Sequence, residues 1–124
     1  MYKYFSIIIF LVLIVFSCEK EAIHEYSVQN NCETSIIVNV LDYRNISYSI
    51  EIASSIEKVI YSGKIINSVY EDEITYFIKD IKIRKGYILL NKNLLDYSIW
   101  RFEKKNRLEA KSYLTVYPED FEDE

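Results

Sequence analysis

Apolar and polar residues alternate with a period of two over most of this chain, the pattern of strands with one wet face. The clearest run is 46–52, where Ile46, Tyr48, Ile50 and Ile52 share one parity and Ser47, Ser49 and Glu51 the other. Residues 35–41 are β-branched and apolar on both parities, with Ile36, Val38 and Val40 against Ile37, Asn39 and Leu41. That predicts a central, more buried strand. A further strand covers 58–62, after a break at Ala53-Ser54-Ser55, and Gly63 ends it. Residues 79–84 alternate again, with Ile81 and Ile83 inward, and Lys85-Gly86 leads into Tyr87-Ile88-Leu89-Leu90. Two strands joined by two residues that include a Gly predict a hairpin.

The stretch 93–111 carries two patterns. Leu95, Ile99 and Phe102 have helical spacing, while Trp100 and Phe102 alternate with Arg101 and Glu103. Lys104-Lys105-Asn106-Arg107 reads as a polar turn, and alternation from Leu108 to Tyr117 completes a second hairpin that Pro118 ends. Roughly seven or eight short strands predict an all-β domain over residues 26–118, a two-layer antiparallel β-sandwich of Ig-like type. A β-barrel is the alternative. The last residues, 119–124, hold five acids and read as a solvated, fraying tail.

The N-terminus breaks the period. Lys3 precedes ten consecutive apolar residues, 7–16. Ten helical residues span about 15 Å, and a bilayer core of about 30 Å needs roughly twenty. A secretory signal peptide is therefore preferred to a membrane-spanning helix. Phe16-Ser17-Cys18 follows, then the charged, unpatterned Glu19-Lys20-Glu21-Ala22-Ile23-His24-Glu25. Residues 18–25 read as a tether.

Composition narrows the rest. In 124 residues, 50% are hydrophobic and only two are Gly and one Pro, which excludes disorder and collagen-like or linker sequence. The net charge of −4 argues against a nucleic-acid partner. Two cysteines cannot make a disulfide scaffold.

A small residue directly before a cysteine, at the end of an apolar segment, resembles the bacterial lipoprotein signal. The resemblance implies cleavage after residue 17, acyl chains on Cys18, and attachment to the membrane through those chains. Val15 stands where Leu is commonest. Lipoproteins of Bacteroidetes-type bacteria relax that position. Several acyl chains, at about 0.8 kcal/mol per buried CH₂, hold stably where one does not. The order of features is similar to the small β-sandwich lipoproteins of those bacteria. It runs from this signal through Tyr26-x-Val28-x-Asn30-Asn31 and Asn93-Leu94-Leu95-x-x-Tyr97 to Tyr113-Leu114-Thr115-Val116-Tyr117 and an acidic end. That implies an outer-membrane lipoprotein facing the periplasm or the cell surface. The family supplies no catalytic or binding residues.

Candidate chemistry is sparse. The single histidine, His24, falls in the tether, without the fixed partner and pocket a general base needs. His24 and Cys32 match no zinc-ligand spacing. Cys32, left alone once Cys18 is acylated, reads as a small residue packed at a strand start, with an intermolecular disulfide as the alternative. Glu71-Asp72-Glu73 lacks the spacing and glycine of a calcium loop and reads as solvated. Asn45-Ile46-Ser47 is a glycosylation sequon by chance. Twelve tyrosines are the unusual feature. Tyr113 and Tyr117, with Thr115 between them, would form a small flat patch if they face out. No catalytic residue, metal or cofactor is expected. The leading expectation is a non-enzymatic, membrane-tethered module that binds protein or glycan. The second is an immunity or inhibitor lipoprotein that blocks a toxin or hydrolase at the envelope.

Overall fold

A computed structural model describes residues 20–66 and 69–121. The expected signal peptide 1–17 and the lipid-attachment residue Cys18 lie outside the described residues, as do 122–124 of the acidic tail. Eight strands form: β1 (Glu21–Asn30), β2 (Ile36–Asp42), β3 (Ser47–Ile52), β4 (Glu57–Ile66), β5 (Ile78–Lys85), β6 (Ile88–Leu89), β7 (Arg101–Asn106) and β8 (Glu109–Val116). One helical turn, α1 (Ile74–Phe77), precedes β5. Two four-stranded sheets, ordered β4-β1-β8-β7 and β3-β2-β5-β6, pack face to face. All neighbours are antiparallel except β1 and β8, which run parallel. The fold is the all-β two-layer sandwich that the alternation predicts.

The core is what that alternation requires. Val38 and Val40 of β2, Ile81 and Ile83 of β5, Val28 of β1 and Leu114 and Val116 of β8 meet between the sheets. β2, β8 and, from Asp80 on, β5 bury one parity and leave the other partly or fully exposed, while β1 buries Ser27 of its outward parity as well. The β5–β6 hairpin turns on Gly86-Tyr87, with Gly86 at φ 61°. A two-residue hairpin loop needs that left-handed backbone at its first position, and glycine adopts it without strain.

The tether reading is corrected from Glu21 onward. Residues 21–25 are the first half of β1, paired with both β4 and β8. Ala22, His24, Tyr26 and Val28 share the inward parity and are all buried. Charged neighbours on the outward parity mask that alternation. The tail reading is corrected through Phe121: Pro118–Phe121 forms a 3-10 turn, and Phe121 buries its ring beneath the Lys85 ammonium, 5.2 Å from the ring centre. In the ambiguous stretch, the β7–β8 hairpin forms, and helical structure is limited to the 3-10 turn Tyr97–Ile99.

Gly63 does not end β4. The strand passes through it to Ile66, paired with the start of β1, and the Phe77 ring occupies the space a side chain at 63 would fill. A Cβ there would stand 2.7 Å from ring carbons of Phe77. Gly63→Ala should therefore destabilise the domain by about 1–3 kcal/mol, the usual range for overpacking. Urea unfolding followed by circular dichroism reads this directly. An unchanged midpoint would show that α1 can shift away from β4.

The sandwich has two distinct ends. At one, the start of β1 meets the end of β4, with Glu21 opposite Ile66, and the β7–β8 turn, with Ile23 N–H donating to Leu108 O. At the other, Asn30 organises three crossings. Its side-chain amide donates to Thr34 O and Ile52 O, and its carbonyl accepts from Ser55 N–H. Arg84 pairs with Ile37 near the start of β2, so the β5–β6 turn projects from this second end.

Candidate functional site

The most chemically organised place in the molecule is buried between the sheets. His24 on β1 points inward beside Ser112 on β8 and beneath Glu73, which immediately precedes α1. The carboxylate accepts only, so Nδ1–H donates to Glu73 Oε2 at 3.1 Å. That tautomer leaves Nε2 to accept from the Ser112 hydroxyl at 2.7 Å. The Tyr26 ring stacks on the imidazole with centroids 4.3 Å apart, and its hydroxyl lies 3.3 Å from Nδ1. Glu73 Oε1 accepts from Tyr70 N–H at 2.6 Å, which ties the connection before α1 to β1.

Serine, histidine and glutamate thus stand in the order of a hydrolase triad, in which histidine takes the serine proton and the carboxylate orients the ring. A nucleophile must reach substrate, and here the exposures are 0% for His24, 2% for Ser112 and 7% for Glu73. Four surface depressions lie among the described residues, and none of these four is lined by any of the three. The imidazole is held neutral: burial pushes its pKa below 6.5, outweighing the upward pull of Glu73. The arrangement can bind three chain segments together. It offers no route for a substrate to Ser112.

Sequence reasoning missed this cluster. His24 was placed in a tether and is core; Glu73 was placed in a solvated loop and is buried. Glu71 and Asp72 are exposed, and no group of three or more metal-ligating side chains occurs among the described residues. Cys32 packs in the main core at the turn before β2, where burial pushes its thiol pKa up. A cysteine enclosed there cannot bridge to another chain without local unfolding.

The tyrosines divide into two groups. Tyr113 and Tyr117 do face out, but Tyr113 is engaged on its own sheet. Arg101 and Lys111 flank its ring at 5.5 and 5.4 Å, and its hydroxyl donates to Glu103 at 3.0 Å. The expected flat patch is thus closed at one end by charge. Among the described residues the most exposed tyrosine is Tyr87, at the tip of the β5–β6 hairpin, and Ile88 and Leu89 beside it are exposed too. This gives three consecutive apolar side chains in solvent at the end opposite the start of β1. The outer edge of β5 nearby is blunted, because the Ile81 N–H donates to the Asp80 carboxylate at 2.9 Å. Among the described residues, no helix is long and apolar enough to cross a membrane.

Compared with protein-family models, with curated proteins and with solved structures, the chain matches none.

Proposed function

We propose that this chain is a membrane-anchored, non-enzymatic binding module of a bacterial envelope, and that it meets a protein partner through the hairpin tip Tyr87-Ile88-Leu89. The observation that carries the reading is the exposure of three consecutive side chains, Tyr87 on the turn and Ile88 and Leu89 on the edge strand β6 that follows it. Contiguous apolar side chains in solvent mark interaction surfaces, and a tyrosine flanked by aliphatic residues is the composition of a binding hot spot. Two aliphatic side chains suit a protein better than a glycan, which needs planar stacking and hydrogen-bonding groups. Asp80 caps the neighbouring edge, so contact through side chains is favoured over addition of a strand. The sealed Ser112-His24-Glu73 cluster supports a role without catalysis.

The anchor is acylated Cys18 of an outer-membrane lipoprotein, supported by the Ser17-Cys18 junction after the apolar segment. Cys18→Ser should release the protein from membranes and leave the signal uncut by the lipoprotein peptidase.

The tip is tested with a photoreactive residue at Tyr87 in intact cells, and a second one at Ser49, exposed on β3, as control. One discrete adduct is expected from Tyr87 and none from Ser49. Ile88→Glu should weaken that complex about 30-fold, the loss of roughly 2 kcal/mol that defines a hot spot. No adduct, or one that Ile88→Glu leaves intact, would sink the proposal. If deleting the chain also sensitises cells to a toxin or hydrolase, the partner is that enzyme and the module is an immunity or inhibitor lipoprotein.

A further inference from the structure

We infer that the end of the sandwich where β1 begins lies directly on the lipid surface, bedded by Tyr76, Tyr43 and Ile66. The inference rests on the membrane anchor proposed above and adds an orientation to it. Its first support is chain length. The sequence expectation is a tether through residue 25, long enough to lift the domain clear. Instead β1 starts at Glu21, three residues after Cys18. Three residues reach at most about 10 Å when extended. The headgroup region of one leaflet is itself about 5–7 Å deep. An acylated Cys18 therefore holds the start of β1 at headgroup level.

The second support is what surrounds that point. A depression of about 390 Å³ runs from Glu21 past Ile66 to Lys64 and Tyr76. A second, of about 380 Å³, continues from Lys64 and Tyr76 to Tyr43 and Arg44. The two share Lys64 and Tyr76, so they form one surface that begins where the chain enters β1. Tyr76, Tyr43 and Ile66 are all exposed on it. Tyrosine, with an apolar ring and a hydroxyl that stays wet, is the side chain that favours the membrane–water interface.

The charges there show which kind of contact it is. Arg44 is paired with Asp42 at 3.0 Å, and Lys64 stands 3.9 Å from Glu21. Glu71 and Asp72 add two exposed acids on the connection before α1. The β7–β8 turn at the same end adds exposed Lys104, Lys105 and Arg107, whose attraction to anionic lipid salt would screen. The contact made by the rings and the aliphatic side chain at the interface should persist in high salt. The opposite end, with the Tyr87 tip, then points away from the membrane, which is where a partner can reach it.

The test uses the full chain, purified from membranes with its anchor and placed in phosphatidylethanolamine–phosphatidylglycerol vesicles. An environment-sensitive fluorophore is attached at Tyr76→Cys or at Tyr87→Cys, both exposed positions. Vesicles carry nitroxide at the headgroup. Circular dichroism confirms the fold, and mass spectrometry reads the adduct on Cys18. The expected result is loss of most fluorescence at position 76, none at 87, and retention of most of that quenching in high salt. Acylated, vesicle-bound protein whose position 76 is unquenched overturns the orientation and leaves the anchor standing. Quenching at 87 instead of 76 inverts it and overturns it equally. Quenching at 76 that high salt abolishes overturns the apolar contact in favour of a charged one. Protein without acyl chains that stays off the vesicles overturns the anchor, and the orientation with it.

Discussion

Replacing His24 with alanine is expected to lower the unfolding free energy by about 3–5 kcal/mol, the cost of deleting a buried ring and leaving its hydrogen-bonding partners unpaired. The imidazole joins β1, β8 and the connection before α1 through side-chain hydrogen bonds. Without it, Glu73 keeps the Tyr70 N–H and loses its side-chain donor, while Ser112 loses its acceptor. The ring stack with Tyr26 and the edge contact with Phe102, centroids 5.5 Å apart, would also go. Removing both partners should behave differently. In a His24→Leu/Glu73→Leu variant neither partner is left buried without the other, so its cost should fall below the sum of His24→Leu and Glu73→Leu by about 0.5–3 kcal/mol. Urea unfolding of the four proteins closes the cycle. A loss under about 1 kcal/mol for His24→Ala would mean that water reaches the cavity and replaces the ring.

The same residue sets an acid dependence. Burial holds the folded-state pKa of His24 below the 6.5 of a free histidine. Between the folded value and 6.5 the unfolded chain binds the extra proton, so stability rises with pH across that window. The contribution is complete above pH 6.5 and is lost as pH falls toward the folded value. Urea midpoints measured from neutral pH downward should show this slope, and it should vanish in the His24→Leu/Glu73→Leu variant.

How much of this was legible depends on where each signal lives. The paired strands β2–β3, β5–β6 and β7–β8 are local, and Ile46 to Ile52 or Ile81 to Arg84 display their alternation within a few residues. β1 was hidden because its inward parity contains His24 and its outward parity Glu21 and Glu25, so the run reads as charged. The inward series Ala22, His24, Tyr26, Val28 was present, and a histidine counted as a core residue would have exposed it. The cluster itself could not be read, since the partners of His24 lie 49 and 88 residues away. α1 is a single turn and is too short to show helical periodicity. Phe121 was lost among acids for the same reason as His24: one buried side chain in a charged run has no period. The chemistry a reader would seek in the sequence was likewise misplaced. His24, Glu73 and Cys32 are buried, and Tyr87, which reads as a strand position, is the most exposed tyrosine of the sandwich.

Trp100 carries the second large effect. It is the only tryptophan, and it is buried where the chain crosses from β6 back to β7. Its indole N–H donates to Leu94 O at 2.9 Å, and its ring meets Tyr26 edge-on with centroids 5.8 Å apart. One side chain thus fastens the 90–100 connection and packs against Tyr26, whose ring stacks on His24. Trp100→Ala should cost about 3–5 kcal/mol, the range for deleting a large buried aromatic. Trp100→Phe retains most of the packing and leaves the Leu94 carbonyl without its donor, so about 1–3 kcal/mol is expected. The ratio of the two separates packing from hydrogen bonding. Near-equal losses would place the whole role in the Leu94 bond, and a negligible loss for both would show that the connection is not held by this residue. The hairpin tip lies just before this connection in the chain, with the Leu90 N–H still donating to Ile83 O at 2.8 Å. A destabilised connection should therefore loosen Tyr87-Ile88-Leu89 as well. Amide exchange at residues 87–90 is expected to rise in Trp100→Ala before the domain as a whole unfolds.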